Sequence, residues 1–190
     1  MFYLKLFRVD VLKKILKGCL QSRKVDQYRL YAMYSRKMYG ICLRYAASTD
    51  EAQDILQEGF IRVFKHLSSY KGKGSLEGWI RRIFVNTAIE KYRERIYHLS
   101  VDEVGNDGEF VHENMGVEAL NVRDILTVVQ QLPVQYRMVF NLYAIEGYSH
   151  KEIAEALDIS ESTARSNLAR ARRILKHKLN KEFEVILQAI

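Results

Sequence analysis

The chain has 190 residues, 48% of them hydrophobic, and its 30 Lys and Arg residues against 23 Asp and Glu give a formal net charge of +7. This length allows one medium domain or two small ones, and the apolar content excludes a disordered tail because it is sufficient to form a core. A single Pro favours helices, since strand-rich folds need many turns.

Several functional classes find no support in the sequence. No apolar run reaches the ~18 residues of a membrane span and no convincing signal peptide is present, so we expect a cytoplasmic protein; an amphipathic membrane-surface helix at residues 2–16 is the alternative. Cys19 and Cys42 lack CxxC spacing, which predicts buried or half-buried free thiols. The sequence has no catalytic set, metal cluster or phosphate-binding Gly loop. We therefore expect no enzyme activity, metal, cofactor or small-molecule substrate.

Helical periodicity predicts three successive helices before residue 97, at 28–46, 50–67 and 76–95. A Gly-containing breaker at 71–75 separates the last two. Between 97 and 122 the chain has six acidic residues, three Gly and no Lys or Arg, and the helical pattern fades. We expect this segment to be a flexible acidic linker between two domains.

The second half of the chain has the signals of a helix-turn-helix. Pro133 can take the first position of one helix, and Ser149 with Glu152 forms a capping box that starts a second, short helix. A tight turn at 157–159 leads to Ser160, which caps a long final helix. Two helices joined by so short a turn, with apolar residues on both sides of it, describe a helix-turn-helix. The residues expected to fill the space between the two helices are Ile153, Leu157, Ile159 and Leu168.

The final helix is strongly basic, with seven Lys and Arg residues and no Asp or Glu from 162 to 181. A solvated helix gains from mixing both charge signs, so this one favours nucleic acid as a partner. Its start also offers Thr163 and Asn167 as hydrogen-bonding side chains. The predicted DNA contacts are Ser162, Arg165, Ser166, Arg170, Arg172 and Arg173. Alternatively, Arg170 or Arg172 pairs with Glu152 or Glu155 of the preceding helix.

An acidic face in the first half has two interpretations. Glu51, Asp54 and Glu58 recur at helical spacing, with Gln53 and Gln57 beside them. We call Asp54, Gln57 and Glu58 the acidic face. They could form an ordinary solvated face, or a docking surface for a basic protein.

A second face in the first half combines an aromatic ring, cations and an amide. We call it the Trp79 face, and its residues are Trp79, Arg82, Asn86 and Arg93. Such side chains suit the unstacked bases of single-stranded nucleic acid. Trp79 could equally belong to the core, since it is close in helical phase to Ile80 and Ile83.

Several stretches of the sequence resemble bacterial RNA polymerase sigma factors. Residues 54–64 (DILQEGFIRVF) are similar to the polymerase-docking helix of sigma domain 2, and residues 75–93 to the adjoining promoter-melting and −10-reading helix. Residues 132–140 and 148–172 resemble sigma domain 4. Both domains occur in order with no room for a domain 3, so the chain is similar to the extracytoplasmic-function (ECF) group. The string GSLEGWIRR resembles the Bacteroidetes-type branch.

The resemblance implies an all-α fold with two small helical domains, a sigma domain 2 helical bundle and a sigma domain 4 helix-turn-helix, joined by the flexible acidic linker. The implied segments are an N-terminal helical extension (1–26), region 2 (27–96), the linker (97–122), region 4 (123–182) and a C-terminal tail (183–190). Two positions depart from the family pattern. Gly78 precedes Trp79 where housekeeping sigma factors have two adjacent aromatics, and Ala164 stands where a branched residue is usual.

The resemblance also implies roles for the three surfaces. The acidic face binds core RNA polymerase, the Trp79 face melts and reads the −10 element, and the basic final helix reads the −35 element. The implied partners are core RNA polymerase, promoter DNA and an anti-sigma factor, and the implied function is promoter-specific initiation of transcription. A helix-turn-helix regulator that acts without core polymerase is the alternative. The acid-free basic helix argues against a third interpretation, a helical adaptor that binds no nucleic acid.

Overall fold

The computed structural model describes residues 2–101 and 128–188, and within them the side chains of 11–97 and 128–178. The regular elements in these two ranges are all helical, which confirms the expected all-α fold. The first range contains α1 (Phe2–Leu20), α2 (Lys24–Tyr45), α3 (Thr49–His66), a 3-10 turn (Leu67–Ser69) and α4 (Leu76–Val101). The second contains helical residues 128–130, then α5 (Val134–Ala144), α6 (His150–Leu157) and α7 (Glu161–Gln188).

The chain forms two compact units, and each of them consists of two separate segments of the chain. The first consists of Met1–Cys42 and Ala52–Ala88, and the second of Leu43–Glu51 and Ile89–Ile190. The end of α2, the start of α3 and the distal part of α4 therefore belong to the same unit as the C-terminal helices.

Side chains of α4 that are four residues apart form part of the core of the first unit. Ile80, Phe84 and Ala88 are buried, because this step keeps side chains on one face of a helix. Phe60 of α3 meets Phe84 edge-on, with ring centroids 5.3 Å apart. Gly59 allows this approach, since a Cβ at that position would overlap the Phe84 ring. Burying each large side chain stabilises the fold by roughly 1.5–3 kcal/mol.

In the second unit, α7 packs against α5 and α6, which also contact each other. Of the four residues predicted to fill the space inside the helix-turn-helix, Ile153, Leu157 and Leu168 are buried. The fourth, Ile159, is only half-buried. Ala164, one of the two departures from the family pattern, is fully buried as well. A further buried cluster contains Val128, Val129, Leu132, Ala171 and Leu175.

The predicted caps of α6 and α7 are confirmed. Ser149 N donates to Glu152 Oε2 at 2.8 Å, and Glu152 N donates to Ser149 Oγ at 3.2 Å. Thr163 N donates to the Oγ of Ser160 at 3.0 Å at the start of α7. Between the two helices Asp158 has a φ of 55°, a left-handed conformation that Asp tolerates better than most residues and that ends α6.

Some helix limits differ from those expected. Pro133 is the N-cap of α5 rather than its first helical residue, so this helix begins one residue later than predicted. Helix α4 continues to Val101, so residues 97–101 of the predicted linker are helical, because the chain has no Gly or Pro to stop the helix before Gly105. The rest of that segment, 102–122, lies outside the described residues.

The two cysteines are free and buried, as expected. Burial raises the pKa of Cys42 to about 12, and burial, with a further contribution from the negative charge of Asp26, raises the pKa of Cys19. Both thiols therefore stay protonated at neutral pH. Across residues 2–101 and 128–188 we find neither a helix long and apolar enough to cross a membrane nor a group of three His, Cys, Asp or Glu side chains that could hold a metal ion.

Candidate polymerase and nucleic-acid interfaces

The acidic face lies on the solvent side of α3. Asp54 and Gln57 are exposed and Glu58 is half-buried, so the structure brings the three predicted residues together. Glu58 Oε1 accepts a hydrogen bond from Arg62 Nε at 2.7 Å, which offsets part of its charge. Asp54 therefore carries the more accessible negative charge of this face.

Ile61 extends the acidic face by one helical turn. Its side chain is 60% exposed, although it is a large apolar residue, and it lies four residues after Gln57. An exposed Ile beside polar residues can form the apolar centre of a mixed interface. Sequence reasoning missed Ile61, but its helical phase, out of step with the buried Phe60 and Val63, was a usable signal.

Three residues of the Trp79 face lie together on α4. Arg82 and Asn86 are exposed, while Trp79 is half-buried. The Trp79 ring packs against Tyr70, with ring centroids 5.5 Å apart. Trp79 is therefore at the edge of the core. It is neither fully buried, as a core residue would be, nor fully exposed.

Tyr70 is a member of this site that sequence reasoning missed. Its OH donates to the carbonyl oxygen of Gly74 at 2.9 Å, across a loop in which Gly72 and Gly74 have φ values of 72° and 83°. Glycine adopts this backbone conformation at no steric cost. At the other end of the loop, Ser75 Oγ accepts a hydrogen bond from Gly78 N at 3.0 Å and caps α4. The loop thus holds Tyr70 beside Trp79.

Arg93, the fourth residue of the Trp79 face, has a different environment. It lies in the part of α4 that belongs to the second unit. Its Nη2 donates to the backbone carbonyl of Glu155 in α6 at 2.7 Å. Arg93 therefore has its observed contact within the second unit, whereas Trp79, Arg82 and Asn86 belong to the first.

The buried residues of α7 show which side of this helix faces outward. These repeat every three or four residues and are Ala164, Leu168, Ala171 and Leu175. Ser162, Ser166 and Arg173 lie on the opposite, exposed side. Arg165 is exposed at the margin of this face and pairs with Glu161 one turn earlier.

Arg170 and Arg172 bind aromatic side chains that precede them in the chain. Arg170 Nη1 donates to Tyr136 OH at 3.3 Å. The Arg172 guanidinium lies 5.4 Å from the centroid of the Tyr143 ring, a cation–π contact, and Tyr143 stacks on His150 at 4.9 Å. These contacts join α7 to α5 and to the start of α6.

Two side-chain expectations need correction. The Tyr136 hydroxyl and the Tyr143 ring, rather than Glu152 or Glu155, are the partners observed for the two arginines. The Glu152 carboxylate belongs to the capping box, and the hydrogen bonds from Ser149 lower the pKa of Glu152. Asn167, which the sequence offered as a base-reading side chain, is buried, because it lies three residues after Ala164 and four before Ala171, on the side of α7 that packs inward.

Two family models match the chain, in the order that the motifs predicted. Residues 30–95 match Sigma-70 region 2, which includes the acidic face and the Trp79 face. Residues 123–175 match Sigma-70, region 4, which includes the helix-turn-helix and its arginines. The chain belongs to the sigma-70 family.

Relatives of this sigma-70 family member confirm the predicted ECF type. The ECF RNA polymerase sigma factor SigW of Bacillus subtilis (strain 168) is 29% identical over 180 residues, which cover 87% of this chain and 96% of that protein. The ECF RNA polymerase sigma-E factor of Haemophilus influenzae is 27% identical over 162 residues, 79% of this chain and 85% of that protein. The Bacteroidetes-type branch stays a prediction.

A solved structure shares the fold. The sigma factor RpoE, in complex with the anti-sigma factor NepR from Bartonella quintana, aligns with a TM-score of 0.54 at 18% identity. The alignment covers 82% of this chain and 97% of that chain. At this level of identity the match shows the fold alone.

Proposed function

We propose that this ECF sigma factor binds core RNA polymerase and directs promoter-specific initiation of transcription. The observation that carries the proposal is the occurrence of region 2 and region 4 in order on one chain, each with exposed side chains of the expected chemistry. The role is one of binding rather than catalysis. It places the protein in the cytoplasm, where the chromosome is transcribed.

The acidic face docks the protein on core polymerase. Asp54 and Gln57 are accessible to a basic partner surface, and complementary charge increases the rate of association and fixes its orientation. Ile61 supplies apolar contact area beside them. This assignment explains why an exposed apolar residue and the accessible charges share one side of α3.

The Trp79 face holds DNA that has already been opened. Trp79 and Tyr70 offer ring surfaces to an unpaired base, and such stacking is worth roughly 1–3 kcal/mol per base. Arg82 attracts the backbone phosphates, and Asn86 can hydrogen-bond a base edge. Because the flat side of a base becomes accessible only after it leaves the duplex, this face stabilises the open complex and not the closed one.

Helix α7 reads the −35 element in duplex DNA. Ser162, Arg165 and Ser166 lie near its start, where recognition helices meet base edges in the major groove. Arg173 lies two turns later and contacts phosphate. Arg170 and Arg172, held by Tyr136 and Tyr143, keep α7 in position and add positive charge beside the DNA.

The same proposal covers the domain limits and the inhibitory partner. We assign region 2 to 27–96 and region 4 to 123–182, and the linker to the residues that follow the end of α4 at Val101. The matched ranges, 30–95 and 123–175, support the two assignments. An anti-sigma factor is the expected protein inhibitor. In support, the RpoE structure of the same fold is a complex with an anti-sigma factor.

Run-off transcription on genomic DNA tests this function. Purified protein and core polymerase are incubated together, and the start sites are mapped. We expect new start sites that share a two-part promoter and that neither component produces alone. If the protein instead binds specific DNA without core polymerase, and adds no start sites with it, the chain is a helix-turn-helix regulator and the proposal is wrong.

A further inference from the structure

Positive charge is concentrated in α1 and α2. Residues 11–37 contain eight Lys and Arg residues against one Asp, a net charge of +7 that equals the net charge of the whole chain. All eight cations are exposed. The acid, Asp26, has a side chain that is only 14% exposed and that accepts a hydrogen bond from Arg29 Nη1 at 3.2 Å. The surface that these residues offer to solvent is therefore strongly basic.

The turn between α1 and α2 adds exposed apolar side chains to this basic surface. Helix α1 ends at Leu20 and α2 begins at Lys24, and Arg23 N donates to the carbonyl of Gly18 at 3.0 Å across the turn. The two helices meet closely there, because a Cβ at Gly18 would overlap the Asp26 carboxylate. The exposed cationic and large apolar residues on the two sides of the turn, which we call the hairpin tip, are Lys17, Leu20, Arg23, Lys24, Val25 and Tyr28.

The apolar members of the hairpin tip are unusually accessible. Leu20 is 56% exposed, Val25 63% and Tyr28 72%. Single exposed apolar residues are common on protein surfaces, but three within nine residues, beside three cations, form a mixed patch of the kind that marks an interaction site. The tip precedes residue 30, where the match to Sigma-70 region 2 begins. The roles proposed for region 2 therefore do not account for it.

We infer that the hairpin tip binds an anionic lipid bilayer. Its Lys and Arg side chains are attracted to negatively charged headgroups. Leu20 and Val25 enter the boundary between headgroups and acyl chains, and Tyr28 lies at the headgroup level. This binding goes beyond the proposed function, because it holds part of the protein at the membrane and away from the chromosome. The membrane-surface helix considered from the sequence, at residues 2–16, precedes the tip, so the proposed contact lies later in the chain.

A comparison with α7 favours lipid over duplex DNA as the partner of the tip. The outer side of α7, which we assign to DNA, combines its cations with the hydroxyl groups of Ser162 and Ser166, and no large apolar side chain is exposed among its residues 161–178. Hydroxyl groups can bind phosphate oxygens, whereas Leu, Val and Tyr rings gain more by leaving water. The tip instead combines its cations with three large apolar side chains. Like charge also disfavours a second copy of the chain as the partner.

Matched substitutions separate the local contribution of the tip from that of net charge. Lys24→Gln removes one cation from the tip, and its control Lys65→Gln removes one from an exposed position at the end of α3. Tyr28→Gln removes a ring that is 72% exposed, and its control Tyr97→Gln removes one in α4 that is 69% exposed. Because all four side chains are exposed, each variant should keep nearly the wild-type melting temperature.

Co-sedimentation of the full chain with lipid vesicles tests the inference. The probes are vesicles of phosphatidylcholine alone and vesicles of equal parts phosphatidylcholine and phosphatidylglycerol, of which only the second are anionic. We expect the wild type to bind the anionic vesicles and not the neutral ones. Lys24→Gln should weaken that binding about fivefold, the factor expected for one cation near an anionic surface, and Tyr28→Gln should weaken it as well. Lys65→Gln and Tyr97→Gln should bind as the wild type does.

A dye attached at the turn reports contact with the bilayer directly. Gln21 lies in the turn and Glu94 lies on α4, and both are exposed. Each is replaced by Cys in turn and labelled with a dye whose emission depends on the polarity around it, while the buried native thiols label slowly. With anionic vesicles, the dye at Gln21→Cys should emit at shorter wavelength, whereas the dye at Glu94→Cys should not change.

Three results would overturn the inference. The wild type could fail to sediment with anionic vesicles. The tip variants and their controls could bind equally, which would show adsorption by net charge alone. Lys24→Gln could weaken binding to duplex DNA more than Lys65→Gln does while the two bind vesicles equally, which would make the tip a nucleic-acid surface. None of these measurements uses transcription, so the vesicle assay and the run-off assay can fail independently.

Discussion

The exposed faces of α4 and α7 are both assigned to promoter DNA, yet they depend on different interactions. The Trp79 face relies on a ring that is half-buried against Tyr70. Helix α7 instead presents arginines, two of which contact tyrosine side chains of α5. Ring stacking acts by contact, while arginine near phosphate displaces counterions and weakens as salt increases. The two faces should therefore lose function in different ways.

The largest effect is expected at α3, because neither DNA face can act in transcription unless the protein docks on polymerase. Asp54→Lys places a like charge against a basic surface, which should cost several kcal/mol of binding free energy where the contact is desolvated. Affinity for core polymerase, measured with labelled protein, checks this. Glu94→Lys makes the same charge change on α4 and should bind normally. Unchanged affinity of Asp54→Lys would remove the docking assignment.

Substitution of Trp79 tests the stacking half of the comparison. Trp79→Ala should lose roughly 1–3 kcal/mol of open-complex stability, so that permanganate modifies fewer unpaired thymines while closed complexes still form. Trp79→Phe keeps a ring and should retain most of the opening. A much lower melting temperature with an altered circular dichroism spectrum would show instead that Trp79 is mainly a core residue.

Arg165 tests base reading by α7. Arg165→Ala should cost about 1–3 kcal/mol and relax the preference at one −35 position. Selection of −35 variants by the reconstituted holoenzyme measures that preference. Glu161→Gln, which frees Arg165 from its partner, should leave the preferred base the same. The proposed position of α7 in the groove is wrong if Arg165→Ala keeps the wild-type preference throughout the element.

Substitution of two neighbouring arginines distinguishes the effect of charge on DNA binding from the effect of packing on the stability of region 4. Arg173→Gln should lower the salt slope of promoter binding by about one unit and affect all sequences alike. Arg172→Gln loses the contact with the Tyr143 ring and should also destabilise region 4 by about 0.5–1 kcal/mol. Salt titrations and thermal melts of both variants check this. Equal melting temperatures for the two variants would show that the ring contact is unimportant.

The smallest expected effect is a loss of thermal stability at low pH, caused by protonation of the capping box that starts α6. Hydrogen bonds from Ser149 hold the pKa of Glu152 below its ordinary value of 4.5. The capping box therefore contributes stability that is fully present above pH 4.5 and is lost as pH falls through the lower, folded-state pKa. Between pH 5 and 3, the wild-type melting temperature should fall more than that of Glu152→Gln. Glu155→Gln, on the same helix, should behave as the wild type.

Local features of this fold were predictable from sequence. The caps at Ser149 and Ser160 depend on residues three apart, and the buried Ile153, Leu157 and Leu168 follow from helical periodicity. Ser162, Arg165 and Ser166 could be placed on one exposed helix start for the same reason. In each case the residues that form the sequence pattern and the contact that it predicts lie within one or two helical turns of each other.

The parts that could not be predicted depend on contacts between distant segments. The approach of Tyr70 to Trp79 requires the Gly72 and Gly74 backbone, and the choice of Tyr143 over an acidic partner for Arg172 depends on how α5 packs. The side-chain amide of Asn141 donates to the backbone carbonyl of Arg44, 97 residues away in the chain. Every backbone carbonyl has the same chemistry, so no sequence pattern identifies which one an amide will bind.

One paired measurement tests the central claim that the two faces open and read DNA by different means. Holoenzymes that contain wild type, Trp79→Ala or Arg173→Gln are compared on one promoter over a salt series, with binding and permanganate reactivity followed in the same samples. We predict that Trp79→Ala keeps the wild-type salt slope of closed-complex formation but opens less DNA at every salt concentration. Arg173→Gln should lower the slope by about one unit and open bound promoters normally. If both variants change the same quantity in the same way, the account is contradicted.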